Sequence, residues 1–470
     1  MPTRLLLVLL AIAACDRTAS APPPAKGSAG SADPWVAKPA APDTPAKRQA
    51  RAEAALGRVA GIMPKLAKIR QLDFKHDIPR ELQSPEDFRK FVHDETAREL
   101  PPDKSADMSK ALYVLGLLEK PLNLAEIEEQ AFATQAAAYY DPKQKKFFIV
   151  IVPDSDAALD MTSAHELTHG LQDQHFDLQT YLPDEGSGST KLDDDASAAR
   201  RFVVEGDATF TMFLYMEMEK SPDKPIPATA IDGLVQQLGM FTNMSSADLT
   251  NMGALMGGSD PSMKAASDAM KDIPATVMVP MLDSYFDGAL VVAAAYKRGG
   301  WPAVDDLFVH PPESTAQMLH PDKLFAGDHP HHVTLPKLAG KALSDVVFGE
   351  LQWQVYFSLW DPAQAKLASA GWGGDHESVV TRADGRPIAR IATTWDTPKD
   401  ADEFTSAYVA SLAKRFPKGS GDPTSATGFD RGDGAGKIFV KHDGLHVFAI
   451  DGADSATELA ALVAGTKIAP

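Results

Sequence analysis

The run Met161-Thr-Ser-Ala-His165-Glu166-Leu-Thr-His169-Gly-Leu-Gln172-Asp-Gln constrains the fold more than any other part of the chain. Its H-E-x-x-H spacing stacks two imidazoles on one face of a helix, because residues four apart lie one turn above each other. The apolar spacing around the motif fits a buried helix. Two imidazole nitrogens so arranged suit zinc, which in hydrolytic sites takes three protein ligands and leaves one position for water. Glu166, beside the first imidazole, stands where a base would take that water's proton. The alternative is a polar helix that carries two histidines for unrelated reasons.

With 470 residues the chain is long enough for two or three domains. Its 46 Lys and Arg stand against 64 Asp and Glu, a net charge of -18 that repels nucleic acid and anionic lipid alike. There is one cysteine, so no disulfide forms within the chain, and its place is informative. Arg4 is followed by an apolar run that ends in Ile12-Ala-Ala-Cys15. The run is too short to span a bilayer and reads as an export signal. Ile12-Ala-Ala-Cys15 resembles the lipobox of bacterial lipoproteins, which implies cleavage before Cys15, lipidation of its thiol and attachment to a membrane of the cell envelope. An ordinary signal peptide cleaved near Ala14 is the alternative. Residues 16–48, rich in Ala, Pro, Gly, Ser and Lys, cannot bury a core and read as a tether that extends up to ~3.1 Å per residue.

Residues 49–138 have a helical pattern. Leu56, Val59, Ile62, Met63 and Leu66 recur at three and four along 51–69, Ser84-Pro-Glu-Asp87 looks like a capped start, and helices are expected at 105–118 and 124–137. Tyr139-Tyr140-Asp141-Pro142-Lys-Gln-Lys145 then forms a turn, Lys146-Phe-Phe-Ile-Val-Ile-Val152 a strand, and 156–176 the helix with the motif. A strand directly before an H-E-x-x-H helix resembles the zincin metallopeptidases. That resemblance implies a sheet edge above the metal that holds an extended peptide, and residues 147–152 read either as this edge or as a core strand.

Two residues compete to be the third ligand. His175 stands ten positions after His165, the place of the third histidine in the metzincin branch, where a glycine at the eighth position turns the chain back. Gln172 occupies that position here. If the helix continues, His175 lies about 240° around the axis from His169. Glu205 lies in Arg201-Phe-Val-Val-Glu205-Gly206-Asp207-Ala208, on a helical stretch at 196–218 whose small residues permit close helix approach. This Glu-Gly-x-Ala resembles the glutamate helices of gluzincins, and the resemblance implies His165, His169 and Glu205 as ligands of Zn2+. Asp207 is a candidate to orient a ligand histidine.

Residues 178–195 read as a polar loop, and 221–281 as a Met-rich insertion with Pro-rich breaks, forming an adaptable groove or core. A helix is expected at 282–297. Ser314-Thr-Ala-Gln317-Met-Leu-His320-Pro321 follows with capping-box spacing. Taken with H-E-L-T-H-x-L-Q-D-Q upstream and Gly371-Trp-Gly-Gly-Asp375 downstream, it resembles exported zincin-like proteins of prokaryotes over most of residues 80–400, with Ala316 in place of the usual Glu. His320 is then a candidate donor to the oxyanion of amide hydrolysis, with Tyr139 and Tyr140 as rivals. Beyond residue 341 the pattern gives a helix at 343–359, two strands around Ala383-Asp-Gly385, a helix at 401–416, strands at 437–440 and 446–450, and a helix at 455–463.

The sequence therefore predicts an α+β protein, mainly helical. A signal at 1–15, a tether at 16–48 and a helical region at 49–138 precede a zincin-like core at 139–340, and an α+β domain at 341–470 follows. The expected function is a membrane-anchored zinc metallopeptidase of the cell envelope with a peptide or protein substrate. His165, His169 and Glu205 would hold the metal, and Glu166, His320 and Tyr140 would act in catalysis. The residues themselves support zinc-assisted hydrolysis; the resemblance supplies the peptide. An inactive zincin scaffold that binds partners, and a structural lipoprotein without metal, are the alternatives.

Overall fold

The computed structural model describes residues 45–133, 138–150, 156–183, 192–242 and 273–470. Cys15 with the export signal, nearly all of the tether and residues 243–272 of the Met-rich stretch lie outside the described residues. Within them the protein is α+β, with a helical half followed by a sheet half.

Four long helices build the first core: a first helix Pro45–Arg70, a histidine helix Asp156–Phe176, a glutamate helix Asp194–Lys220 and a crossing helix Ala275–Gly299. Val59 and Leu66, Leu167, Phe202 and Phe210, and Ala289 and Val292 meet there, all buried. Each large apolar side chain so enclosed contributes ~1.5–3 kcal/mol. The crossing helix is long and apolar enough to span a membrane, yet 56% of its most apolar window is buried inside the protein, as for a core helix.

A small sheet of Arg80–Leu82 (β1), Ala138–Asp141 (β2) and Lys146–Ile149 (β3) lies beside the histidine helix in the order β1-β3-β2. Here the expectation of a substrate-holding edge at 147–152 needs correction. β3 is parallel to β1 and antiparallel to β2, so both of its sides are already paired. Phe147 and Ile149 face the helical core, while Phe148 packs on the other side with Tyr139 and Phe88. Residues 151 and 152 fall outside the described residues.

After a short strand His332–Thr334 (β4), the second half is a seven-stranded antiparallel sheet, β5-β6-β7-β11-β10-β9-β8, formed by Lys341–Val346, Trp372–Thr381, Pro387–Trp395, His446–Ala453, Lys437–Asp443, Gly428–Asp430 and Ser420–Asp422. Period-two alternation divides its residues between two faces. Val379, Ile438, Val440 and Val447 point to one side, under helices Gly349–Trp360 and Pro398–Arg415; Val380, Phe439, Phe448 and Ile450 point to the other, under Ala456–Gly465. The helix expected at 343–359 is therefore a strand at first. Pairing of Lys341–Val346 with β6 overrides its local preference, and the helix starts only at Gly349, where φ is +73°. The helix Pro102–Leu115, from the helical region at 49–138, buries Ala111 and Leu115 in this second core. The first part of the expected loop at 178–195 is a short helix, Leu178–Tyr181.

Two of the sequence elements have structural explanations. Asp375, which ends Gly371-Trp-Gly-Gly-Asp375, accepts from the indoles of Trp353 (2.7 Å) and Trp372 (2.8 Å) and from the Phe348 and Gly349 amides. Ser314 and Gln317 form a capping box, and Thr315 donates to Asp195 at the start of the glutamate helix. The latter contact ties the two cores together.

Candidate metal centre

The histidine helix is unusual in burying polar residues on every side: Thr162, Ser163, His165, Glu166, Thr168, His169, Gln172 and Asp173 are all enclosed. Such groups persist in a core only with partners. His165, Glu166 and His169 offer ligand atoms within 4.8 Å of one another. Glu205, from the glutamate helix, reaches in between. Its Oε2 stands 3.2 Å from His165 Nε2 and 3.5 Å from His169 Nε2.

Those two separations can be compared with two arrangements. A charge-assisted hydrogen bond would draw nitrogen and oxygen to ~2.7–2.9 Å. Tetrahedral zinc with bonds of ~2.0–2.1 Å sets neighbouring ligand atoms about 3.3–3.4 Å apart. At 3.2 and 3.5 Å the three atoms leave room for a cation between them, and the shorter separation is also within hydrogen-bond range. His169 Nε2 and Glu166 Oε1 are buried with no hydrogen-bond partner among the described residues, and a cation between the side chains would satisfy them. Of the two carboxylates, Glu205 is the one aimed at both imidazoles. Glu166 has its Oε2 taken by the Tyr140 backbone N–H at 2.9 Å, leaving Oε1 uncommitted.

His169 is held in a defined form. Gln172 donates through Nε2 to the Val204 carbonyl and to Asp207 Oδ2, 3.0 Å each, so its Oε1 faces His169 and accepts from Nδ1 at 2.9 Å. A proton is thus on Nδ1, and Nε2 is the nitrogen that points at the cluster. Asp207 is buried and in turn accepts from Arg70 Nε at 2.9 Å; Arg70 stacks over Trp301 and stands 2.7 Å from Asp305. A chain of contacts therefore runs from the end of the first helix to the His169 imidazole.

Burial pushes the His165 imidazole down to about 4, so it is neutral at pH 7, as a ligand must be. Burial also acts on the other pair, but there the mutual attraction wins: Glu205 is held down to about 2 and His169 up to about 9, so without a cation the pair holds a proton on His169 that metal binding would have to displace. Glu166, burial being its main influence, is pushed up to about 8.

The other candidates lie elsewhere. His175 bonds to the Asp73 carbonyl at 2.8 Å, on the far side of a helix that does continue through Gln172. The Tyr140 hydroxyl does not join the cluster: it donates to Asp173 at 2.7 Å, and the residue contributes its main chain instead. Tyr139 stacks on Phe148 and donates to Gln83. His320 is also not brought in. Its Nε2 is engaged by Glu350 at 2.6 Å, and that carboxylate raises the imidazole above its usual value. The aromatic group beside the cluster is Tyr285, whose ring lies 5.6 Å from that of His165. Sequence reasoning missed Tyr285 and Arg70, which have no local signal, and the role of Gln172, which its position three residues after His169 could have indicated.

Glu205 and Tyr285 line a cavity of about 480 Å³ between the helical core and the sheet domain. Residues 338–462, which make up nearly all of that domain, match a family described as a domain of unknown function, DUF8575. The match includes none of the cluster residues. No curated protein and no solved structure matches the chain.

Proposed function

We propose that this protein is a zinc-dependent hydrolase of the zincin type, of the gluzincin branch, that cleaves peptide bonds at the cell envelope. The observation that carries the reading is the convergence of Glu205 Oε2 on His165 Nε2 and His169 Nε2, at 3.2 and 3.5 Å. These three atoms would hold Zn2+. Zinc, when bound, supplies a Lewis acid that acidifies water and polarises a carbonyl.

The protein's own groups supply the rest. Glu166 has one oxygen fixed by the Tyr140 N–H and the other free, which suits a base that takes a proton from water and returns it to the leaving amine. Burial raises its carboxyl and a neighbouring dication lowers it, so it can both bind and release a proton near neutral pH. Tyr285 takes the place of His320 and Tyr140 as the candidate donor to the developing oxyanion, because it packs against His165 and lines the adjoining cavity. The apolar run ending at Cys15 supports export and a lipid anchor.

The test is metal content and peptide cleavage of the wild type beside Glu166→Gln. Retained zinc with lost cleavage supports the assigned base. Equal cleavage rejects it, and zinc without cleavage in either form would leave an inactive scaffold.

A further inference from the structure

The cavity beside Glu205 has two walls of different origin. The helical core gives Phe202, Met281 and Tyr285, and the sheet domain gives Leu343, Val346 and Val347 from β5 and the turn after it. A volume of about 480 Å³ is that of a ligand pocket, and apolar residues predominate on both walls. The charged groups around it are unbalanced. Glu128, Asp193, Asp194 and Asp345 stand against Arg201, and His376 is already engaged by Asp345 at 2.6 Å. Acidic groups bordering an apolar space exclude an anionic occupant and tolerate a neutral or cationic one.

We infer that the sheet domain is the specificity wall of this site: residues 343–347 select a peptide with a large, uncharged apolar side chain beside the cleaved bond and turn away acidic ones. This rests on the hydrolase reading in one respect, that Glu205 marks the reacting end of the cavity. The domain of unknown function would then act within the site rather than as a separate binding module.

The experiment uses the full chain loaded with zinc and a set of fluorescent peptides that differ only in the residues flanking one bond, with Leu, Phe, Ala or Glu there. The wild type should prefer Leu or Phe to Glu in kcat/KM by about tenfold or more. Leu343→Lys and Val347→Lys, both at half-buried positions, should weaken that preference through KM more than kcat. Zinc content and unfolding midpoint serve as the folding control for each. Equal cleavage of Leu and Glu peptides by the wild type, or an unchanged preference in both variants, overturns the proposal. If the zinc-loaded wild type cleaves nothing, the hydrolase reading has failed and binding of the same peptides decides. Tighter binding of the Leu peptide, lost in Leu343→Lys, then supports the wall; indifference or no binding removes it.

Discussion

Gly206 of the glutamate helix and Gly288 of the crossing helix lie backbone against backbone. A Cβ on Gly206 would stand 2.2 Å from the Gly288 carbonyl carbon, and one on Gly288 would stand 2.4 Å from the Phe202 carbonyl oxygen. Backbone cannot yield as a flexible side chain does, so these contacts set the separation of the two helices. Since Gly206 follows Glu205, they also set the depth at which the carboxylate meets the imidazoles.

Gly206→Ala should therefore cost ~1–3 kcal/mol or more through overpacking, and should reduce zinc occupancy as well. Chemical unfolding of the metal-free chain measures the first effect and elemental analysis the second. Normal zinc content in a destabilised variant would show that Glu205 does not depend on this crossing.

Gln172 gives a second expectation. Gln172→Leu keeps the volume but removes the acceptor of the His169 Nδ1 proton and the donor to Asp207. Partners of this kind are worth ~10–100-fold in metal affinity. Competition with a chromogenic chelator should show a loss in that range. An unaltered affinity would mean that the tautomer is fixed by other means.

What the sequence conveyed was local, and what it withheld was long-range. The histidine helix is legible because its period and its spacing of ligands are properties of one segment. Glu205 is legible only with a family resemblance, since forty positions separate it from His165. The second core shows the limit: Leu343–Val346 has helical composition, but its register is dictated by β6, more than thirty residues on. His320 and Tyr140 were natural donors by residue type, yet Glu350 and Asp173 hold their polar atoms. No spacing rule foretells such partners.

The junction of the two halves predicts a pH dependence. Burial raises the carboxyls of Asp195 and Glu377 well above their usual range and that of Asp375 to about 7, and the three repel one another. The folded state thus keeps protons that the unfolded chain releases above ~4, so the stability they lend is complete below that point and falls as pH rises through 7. Each carboxyl still protonated withdraws up to ~1.4 kcal/mol per pH step. Glu377→Gln, neutral at all pH, should flatten the decline in urea midpoint between about pH 5 and 8. An identical slope in both proteins would exclude Glu377 as a source.

Zinc itself should act as a folding ligand. A cation that binds only the folded chain adds ~4 kcal/mol at a thousand times its dissociation constant, so the unfolding midpoint must rise with zinc concentration. Magnesium should not substitute, because it demands octahedral oxygen ligands and this cluster presents two imidazole nitrogens and one carboxylate. Glu205→Ala separates the contributions. It removes one of three ligands, so the zinc increment should shrink, while the metal-free protein loses a carboxylate that two imidazoles hold down to about 2. Calorimetry with and without zinc, on both proteins, reads the two effects independently. A wild-type midpoint indifferent to zinc, in protein free of metal at the outset, would leave the convergence of His165, His169 and Glu205 as a buried polar network and nothing more.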